Sequence, residues 1–300
     1  MNFETWGMTG TLVTEDEQHQ RVAAARLWHW IGAIDSACNR FRFDSEISRL
    51  NAHPGEPLRV STTFLLALDA AQRASDATSG LCDPTVLPAL VALGYDQDYD
   101  ALVRRSDVVA GDPVPARGMG AISVDRTNQT VALDEDCQLD LGATAKALVA
   151  DLVAHDLCPL GGVLVELGGD LAARGTGPTG PWVVGIADSL RIHGAEPRVA
   201  VTNSAVATSS TTTRTWRASG AVVHHIIDPR TGQSARGPYA TATVCAGDCV
   251  TANAFATAAL VWGSDAPYFI SQAGWSGRLV RHDGTVELVG RWPREEVRSS

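Results

Sequence analysis

Four groups of residues in this chain have the types and spacing to do chemistry. The first is Lys146, the single lysine among the 24 basic side chains of a 300-residue chain. It lies in Leu139-Asp-Leu-Gly-Ala-Thr-Ala-Lys-Ala-Leu-Val-Ala-Asp151. An ammonium is a compact point charge and a guanidinium a planar fork, so a site built for one phosphate oxygen would resist the exchange. Gly142, Ala143, Thr144 and Ala145 precede the lysine at an expected helix start, where small residues leave backbone amides open to anions. A chance survivor in a lysine-poor chain is the other reading. The second group is Glu166-Leu-Gly-Gly-Asp170, where paired glycines at a strand end allow close backbone approach, or simply a tight turn. The third is His224-His-Ile-Ile-Asp-Pro-Arg-Thr-Gly232. Its histidine His225 lies three residues before Asp228 and could move a proton near neutral pH, while Arg230 could fork onto phosphate. Asp-Pro-Arg-Thr-Gly is also plain turn chemistry. The fourth is Asn253 and Thr257, four residues apart and so on one helical face. Both offer oxygen ligands, and both residue types also serve as ordinary caps.

These groups need elements to position them. A strand is expected over Thr9 to Thr14. Ala24, Leu27, Ile31, Ile34 and Cys38 mark one apolar helix face. A second helix runs from Thr62 to about Ser79, capped by Ser61 and followed by Gly80. The stretch 111–118 reads as a loop. Ala121–Val124 and Thr130–Leu133 form a hairpin around Thr127-Asn-Gln. The Lys146 helix places Ala143, Ala147, Ala150, Ala154 and Leu157 on one face. Further strands are expected at Val163–Glu166, Trp182–Ile186, Arg198–Val201, Ala242–Cys245, Arg278–Arg281 and Thr285–Val289. Asp283-Gly284 joins the last two, and Asn253–Trp262 is a helix. Hairpins mixed with separate helices indicate an α+β fold. No GxGxxG follows a strand and no GxxxxGK[ST] occurs, which argues against Rossmann and P-loop sites.

Composition narrows the function classes. Hydrophobic residues make up 45% and charged residues 19%, as expected for a chain that buries a sizeable core. A formal net charge of -10 argues against nucleic acid as a partner. No apolar run is long enough for a transmembrane segment, and the N-terminus lacks signal and lipid-attachment features, so a cytoplasmic protein is expected. The six cysteines form no CxxC and are expected to be small core hydrophobes.

Taken in order, several segments resemble the ApbE family of flavin transferases, the FAD:protein FMN transferases. They are Asp44-Ser-Glu-Ile-Ser-Arg-Leu-Asn51, Ser79-Gly-Leu-Cys-Asp-Pro-Thr-Val-Leu-Pro88, the Lys146 segment, Leu164-Val-Glu-Leu-Gly-Gly-Asp-Leu171, Ala207-Thr-Ser-Ser210, His225 to Gly232 and Ala252-Asn-Ala-Phe-Ala-Thr257. Cys82 stands where the family has phenylalanine, Ala147 where it has glycine and Asn253 where it has aspartate. The resemblance implies an ApbE-like, T-fold-related α+β architecture with mainly antiparallel sheet, as one FAD-binding domain over 1–300 or two closely packed lobes. It implies transfer of FMN from FAD to a threonine hydroxyl of an acceptor protein, with Mg²⁺ and release of AMP. The alternatives are Mg²⁺-dependent hydrolysis of FAD to FMN and AMP, or non-catalytic FAD carriage. By resemblance His225 and Lys146 are catalytic, and the Ala143 carbonyl, Asn253 and Thr257 hold the metal. Asn51, Asp83, Lys146, Glu166, Asp170, His225, Asp228 and Arg230 bind the flavin nucleotide.

Overall fold

The computed structural model describes residues 1–187 and 197–292. Contacts divide the chain into two compact units: Met1–Trp30, Lys146–Ser210 and Gly237–Ser300 form one, and Ile31–Ala145 with Thr211–Arg236 the other.

The first unit is built on an eight-stranded sheet. Its spatial order is Asn2–Thr5, Met8–Thr14, Val163–Leu167, Asp170–Arg174, Ser204–Ser210, Tyr239–Ala246, Ser276–Arg281 and Val286–Val289, each neighbour antiparallel to the next. The central strands are covered on both faces, so they read as continuous apolar or small-residue runs and not as a two-residue alternation. Helix Cys249–Trp262 packs on strands Ser204–Ser210 and Tyr239–Ala246. Ala252, Ala254, Ala256, Ala258 and Ala259 of the helix and Ala205, Ala207, Ala240 and Ala242 of the strands are all fully buried, and such small residues let helix and sheet approach closely. A separate apolar cluster joins Leu164, Leu171, Val206 and Trp292 to Trp182, Val199 and Val201 of the hairpin Trp182–Gly185 with Arg198–Val201.

The second unit holds the three-stranded sheet Leu58–Arg59, Thr130–Leu133 and Ile122–Asp125, and helices Glu46–Ala52, Thr62–Ala77, Leu87–Ala92 and Tyr99–Leu102. Two small hairpins follow, Thr215–Ala218 with Ala221–His224 and Ile227–Asp228 with Gln233–Ser234. Leu90, Tyr95, Leu102, Trp216 and Ile227 share one core, in which Trp216 donates its indole N–H to the Leu93 carbonyl at 2.7 Å.

Most expected elements are present. Ser61 caps helix Thr62–Ala77 by accepting from the Phe64 N–H, and Gln129 takes the left-handed turn conformation at φ 51° in the Ile122–Leu133 hairpin. Several expectations are corrected. The helix Gln20–Cys38 turns Ala23 inward and leaves Ala24 at its edge. The Lys146 helix spans Gly142–Leu157 and is not one-sided: Leu148, Val149 and Val153 are buried as well as Ala147, Ala150 and Ala154, while Ala143 is exposed. A helix buried nearly all round has no apolar stripe for periodicity to find. The last helix starts at Cys249 with Asp248 as its cap, so Asn253 and Thr257 lie within it and cap nothing.

Candidate active site

In the first unit the polar groups meet at Asp170. The turn Gly168-Gly169 connects its strand to the preceding one, both residues in the left-handed region at φ 59° and 92°, as a two-residue hairpin requires. A side chain at 168 would place its Cβ 2.5 Å from the Met8 sulfur, so it would force Met8 to shift as well as strain the left-handed backbone. The turn delivers Asp170 into the interior, where it is fully buried.

Two side chains compensate this carboxylate. The Asn253 amide donates to both of its oxygens at 3.0 and 3.1 Å. The Lys146 Nζ lies 3.3 Å from one of them. A buried carboxylate is tolerated only when paired and hydrogen-bonded in this way. Glu166 accepts from the Gly169 N–H at 2.7 Å, and burial, more than the neighbouring Asp170 charge, pushes its carboxyl above the usual range. The Asn253 amide is only 5% exposed, and its Oδ1 is buried without a hydrogen-bond partner. Buried acceptors are nearly always satisfied, so this oxygen is one that a bound group could use. Thr257 lies one turn further along the same helix, its Oγ1 3.0 Å from the Ser209 Oγ.

These donors fit a hard cation. Amide and hydroxyl oxygens close to a carboxylate suit Mg²⁺, whereas zinc would want nitrogen and sulfur. No cluster of three His, Cys, Asp or Glu suited to a metal occurs among the described residues.

In the second unit the expected ligand-binding residues hold backbone. Asn51 clamps Leu139 at both ends of its amide: Nδ2 donates to the Leu139 carbonyl at 2.9 Å and Oδ1 accepts from its N–H at 2.7 Å. Asp83 accepts from the Thr85 N–H and hydroxyl, both at 2.7 Å, and the Thr85 Oγ1 in turn accepts from the Gly118 N–H. The Arg230 fork expected to reach a phosphate instead closes on its own turn. Its Nε and Nη2 donate to the two oxygens of Asp228 at 2.8 Å, and this pairing holds the Asp228 carboxyl below the usual range. The fork is occupied because the Asp-Pro-Arg turn brings both side chains to one side. His225 is half-buried between strands Ala221–His224 and Ile227–Asp228. Its neighbour His224 is tied to the Ala235 carbonyl through Nε2 at 3.0 Å.

Two contacts around this centre were not singled out in the sequence. Ser209 contacts Thr257, and it sits in a strand that sequence alternation did not reveal. Asp151 closes the Lys146 segment and accepts from the backbone amides that begin the Asn253 helix.

Asp170 is thus a buried carboxylate held by one ammonium and one amide, with the amide oxygen of Asn253 left without a hydrogen-bond partner. Comparison with known proteins places this centre in a family. The ApbE family model matches residues 6–276, and the chain belongs to that family. A protein from Treponema pallidum named FAD:protein FMN transferase is 30% identical over 282 residues, covering 86% of this chain and 74% of the relative. A Vibrio cholerae protein of the same name is 29% identical over 250 residues, covering 80% of this chain and 73% of the relative. The crystal structure of the ApbE protein from Thermotoga maritima superposes with a TM-score of 0.80 at 26% identity, covering 96% of each chain. The α+β, mainly antiparallel architecture read from the sequence is the fold of this family. No helix among the described residues is long and apolar enough to cross a membrane.

Proposed function

We propose that the chain is an FAD:protein FMN transferase. Its family membership and the names of its relatives support the reaction class. The observation that carries the reading to this chain is the Lys146–Asp170–Asn253 centre, with its orphaned amide oxygen. In the proposed reaction an acceptor threonine hydroxyl attacks the FMN-side phosphorus of FAD. A new Oγ–P bond forms, the P–O bond to AMP breaks, and the threonine proton passes to His225.

Phosphoryl chemistry of this kind depends on positioning and charge neutralisation. Lys146 neutralises pyrophosphate charge and is itself oriented by Asp170. Asn253 Oδ1 and Thr257 Oγ1 offer ligands to Mg²⁺, with the Ala143 carbonyl as the third by resemblance; a bound Mg²⁺ would neutralise developing negative charge on the phosphates. Asn51 and Asp83 act by holding the loops that carry Leu139 and Gly118. Arg230 acts on the nucleotide only if its pair with Asp228 opens.

The test is incubation with FAD and Mg²⁺, with and without a threonine-bearing acceptor domain. AMP release that requires the acceptor, with FMN bound covalently to it, supports transfer. AMP without acceptor would mean hydrolysis, and tight FAD with no AMP would mean a carrier.

A further inference from the structure

The helix that carries Asn253 and Thr257 begins under two carboxylates. Asp248, its own cap, accepts from the Thr251 N–H at 2.8 Å and from the Thr251 hydroxyl at 2.8 Å. Asp151 comes from the Lys146 helix. Its Oδ1 and Oδ2 accept from the Cys249 N–H at 2.8 and 3.0 Å, and Oδ2 also accepts from the Val250 N–H at 3.0 Å. Asp248 satisfies the Thr251 N–H and leaves the Cys249 and Val250 N–H groups to Asp151. The second carboxylate is brought from another helix into a half-buried place. Burial pushes its carboxyl up to about 6 even though the two amides act in the opposite sense.

Asp151 stands five residues after Lys146, and Cys249 stands four before Asn253. The Asp151 carboxylate therefore bolts the start of the Asn253 helix to the helix bearing Lys146, and both helices converge on Asp170 through Lys146 Nζ and the Asn253 amide. It also lies at the positive end of the Asn253 helix, where the aligned peptide dipoles amount to roughly half a positive charge. A cation at Asn253 Oδ1, one turn in, would be opposed by that end unless anions cover it. The point matters more here because Asn253 itself carries no charge.

We propose that Asp151 is a positioning residue for the cation, fixing Asn253 Oδ1 relative to Lys146 and offsetting the positive helix end beside it. The inference rests on the reading of Asn253 as a cation ligand. The experiment titrates Mg²⁺ calorimetrically into the FAD complex without acceptor, for the wild type, Asp151→Asn, Asp151→Glu and Asn253→Ala, and separately measures FAD affinity without Mg²⁺. Groups that orient metal ligands typically contribute about 10–100-fold to metal affinity. Asp151→Asn should weaken Mg²⁺ binding by at least the lower figure while metal-free FAD affinity stays at the wild-type value. A merely structural role would leave Mg²⁺ affinity per folded molecule unchanged, and that result overturns the proposal. Should the asparagine form fail to fold, the glutamate form decides by the same criterion, because the extra methylene displaces its carboxylate from both amides. If Asn253→Ala abolishes Mg²⁺ binding and Asp151→Asn does not weaken it, only this proposal falls. If Asn253→Ala leaves Mg²⁺ binding intact, the ligand reading falls and this proposal with it.

Discussion

Asn253→Asp introduces the carboxylate that the resemblance to the ApbE family implies at this position, and its effect can be worked from the contacts of Asp170. In the native chain the Asn253 amide donates to both Asp170 oxygens at 3.0 and 3.1 Å. The substitution removes these hydrogen bonds to a charged group, worth about 1.5–3 kcal/mol. It also sets two carboxylates against each other with charge centres about 4 Å apart, a repulsion of about 4 kcal/mol at an effective dielectric constant of 20. Lys146, 3.3 Å from Asp170, offsets part of this. The metal-free variant should therefore lose several kcal/mol of stability at pH 8, or keep one proton between the two carboxylates. A bound cation relieves the same repulsion, so the variant should bind Mg²⁺ more tightly than the native chain, and increasingly so from pH 6 to pH 8. The native chain, with one carboxylate fewer, should bind Mg²⁺ appreciably only when FAD adds its pyrophosphate charge. The assay is thermal unfolding with and without Mg²⁺ at both pH values, paired with Mg²⁺ titration in the presence and absence of FAD. A variant that is as stable as the native chain without metal at pH 8, and binds Mg²⁺ equally well in the FAD complex, would refute the reasoning and remove Asn253 from the metal site.

Three further outcomes are expected. Lys146→Arg should weaken FAD binding or turnover although charge is kept, because a planar head cannot occupy the point-charge position beside Asp170; FAD affinity and rate at wild-type values would contradict it. His225→Ala should slow FMN transfer by about 10²–10⁴-fold with FAD affinity little changed, as for loss of a general base, and single-turnover transfer rates beside FAD titrations test this. Asp151 should make stability fall with rising pH. Its folded carboxyl is raised from 3.8 to about 6, so its stabilising contribution is complete below pH 3.8 and is lost as pH climbs through about 6. The loss amounts to about 3 kcal/mol at 1.36 kcal/mol per pH unit. Denaturant unfolding of wild type against Asp151→Asn from pH 4 to pH 8 should show the difference shifting by that amount toward the variant, and a constant difference would contradict it.

Sequence alone determined what is local or ordered along the chain. The Ser61 cap, the Gln129 and Gly284 turns and the Gly168-Gly169 hairpin follow from residues within a few positions of one another, where capping and left-handed backbone preferences decide conformation. The succession of short motifs pointed to the ApbE family, and the singular Lys146 was visible by counting. Tertiary structure decided the roles. Asp170 meets Asn253 across 83 positions, and no pattern in either segment announces that bond. The orphaned Asn253 Oδ1, the Asn51 clamp on Leu139 and the Asp151 tie to Cys249 likewise depend on which distant backbone and side-chain groups packing brings within hydrogen-bond reach. The Lys146 helix shows the limit from the other side. Buried nearly all round, its residues carry no periodicity that says which neighbour each will face, because an apolar side chain registers only that it is removed from water. Direction comes from the antiparallel register of the eight strands, which sets Asp170 on its strand and, through the Ser204–Ser210 and Tyr239–Ala246 strands, seats the helix that brings Asn253 to it.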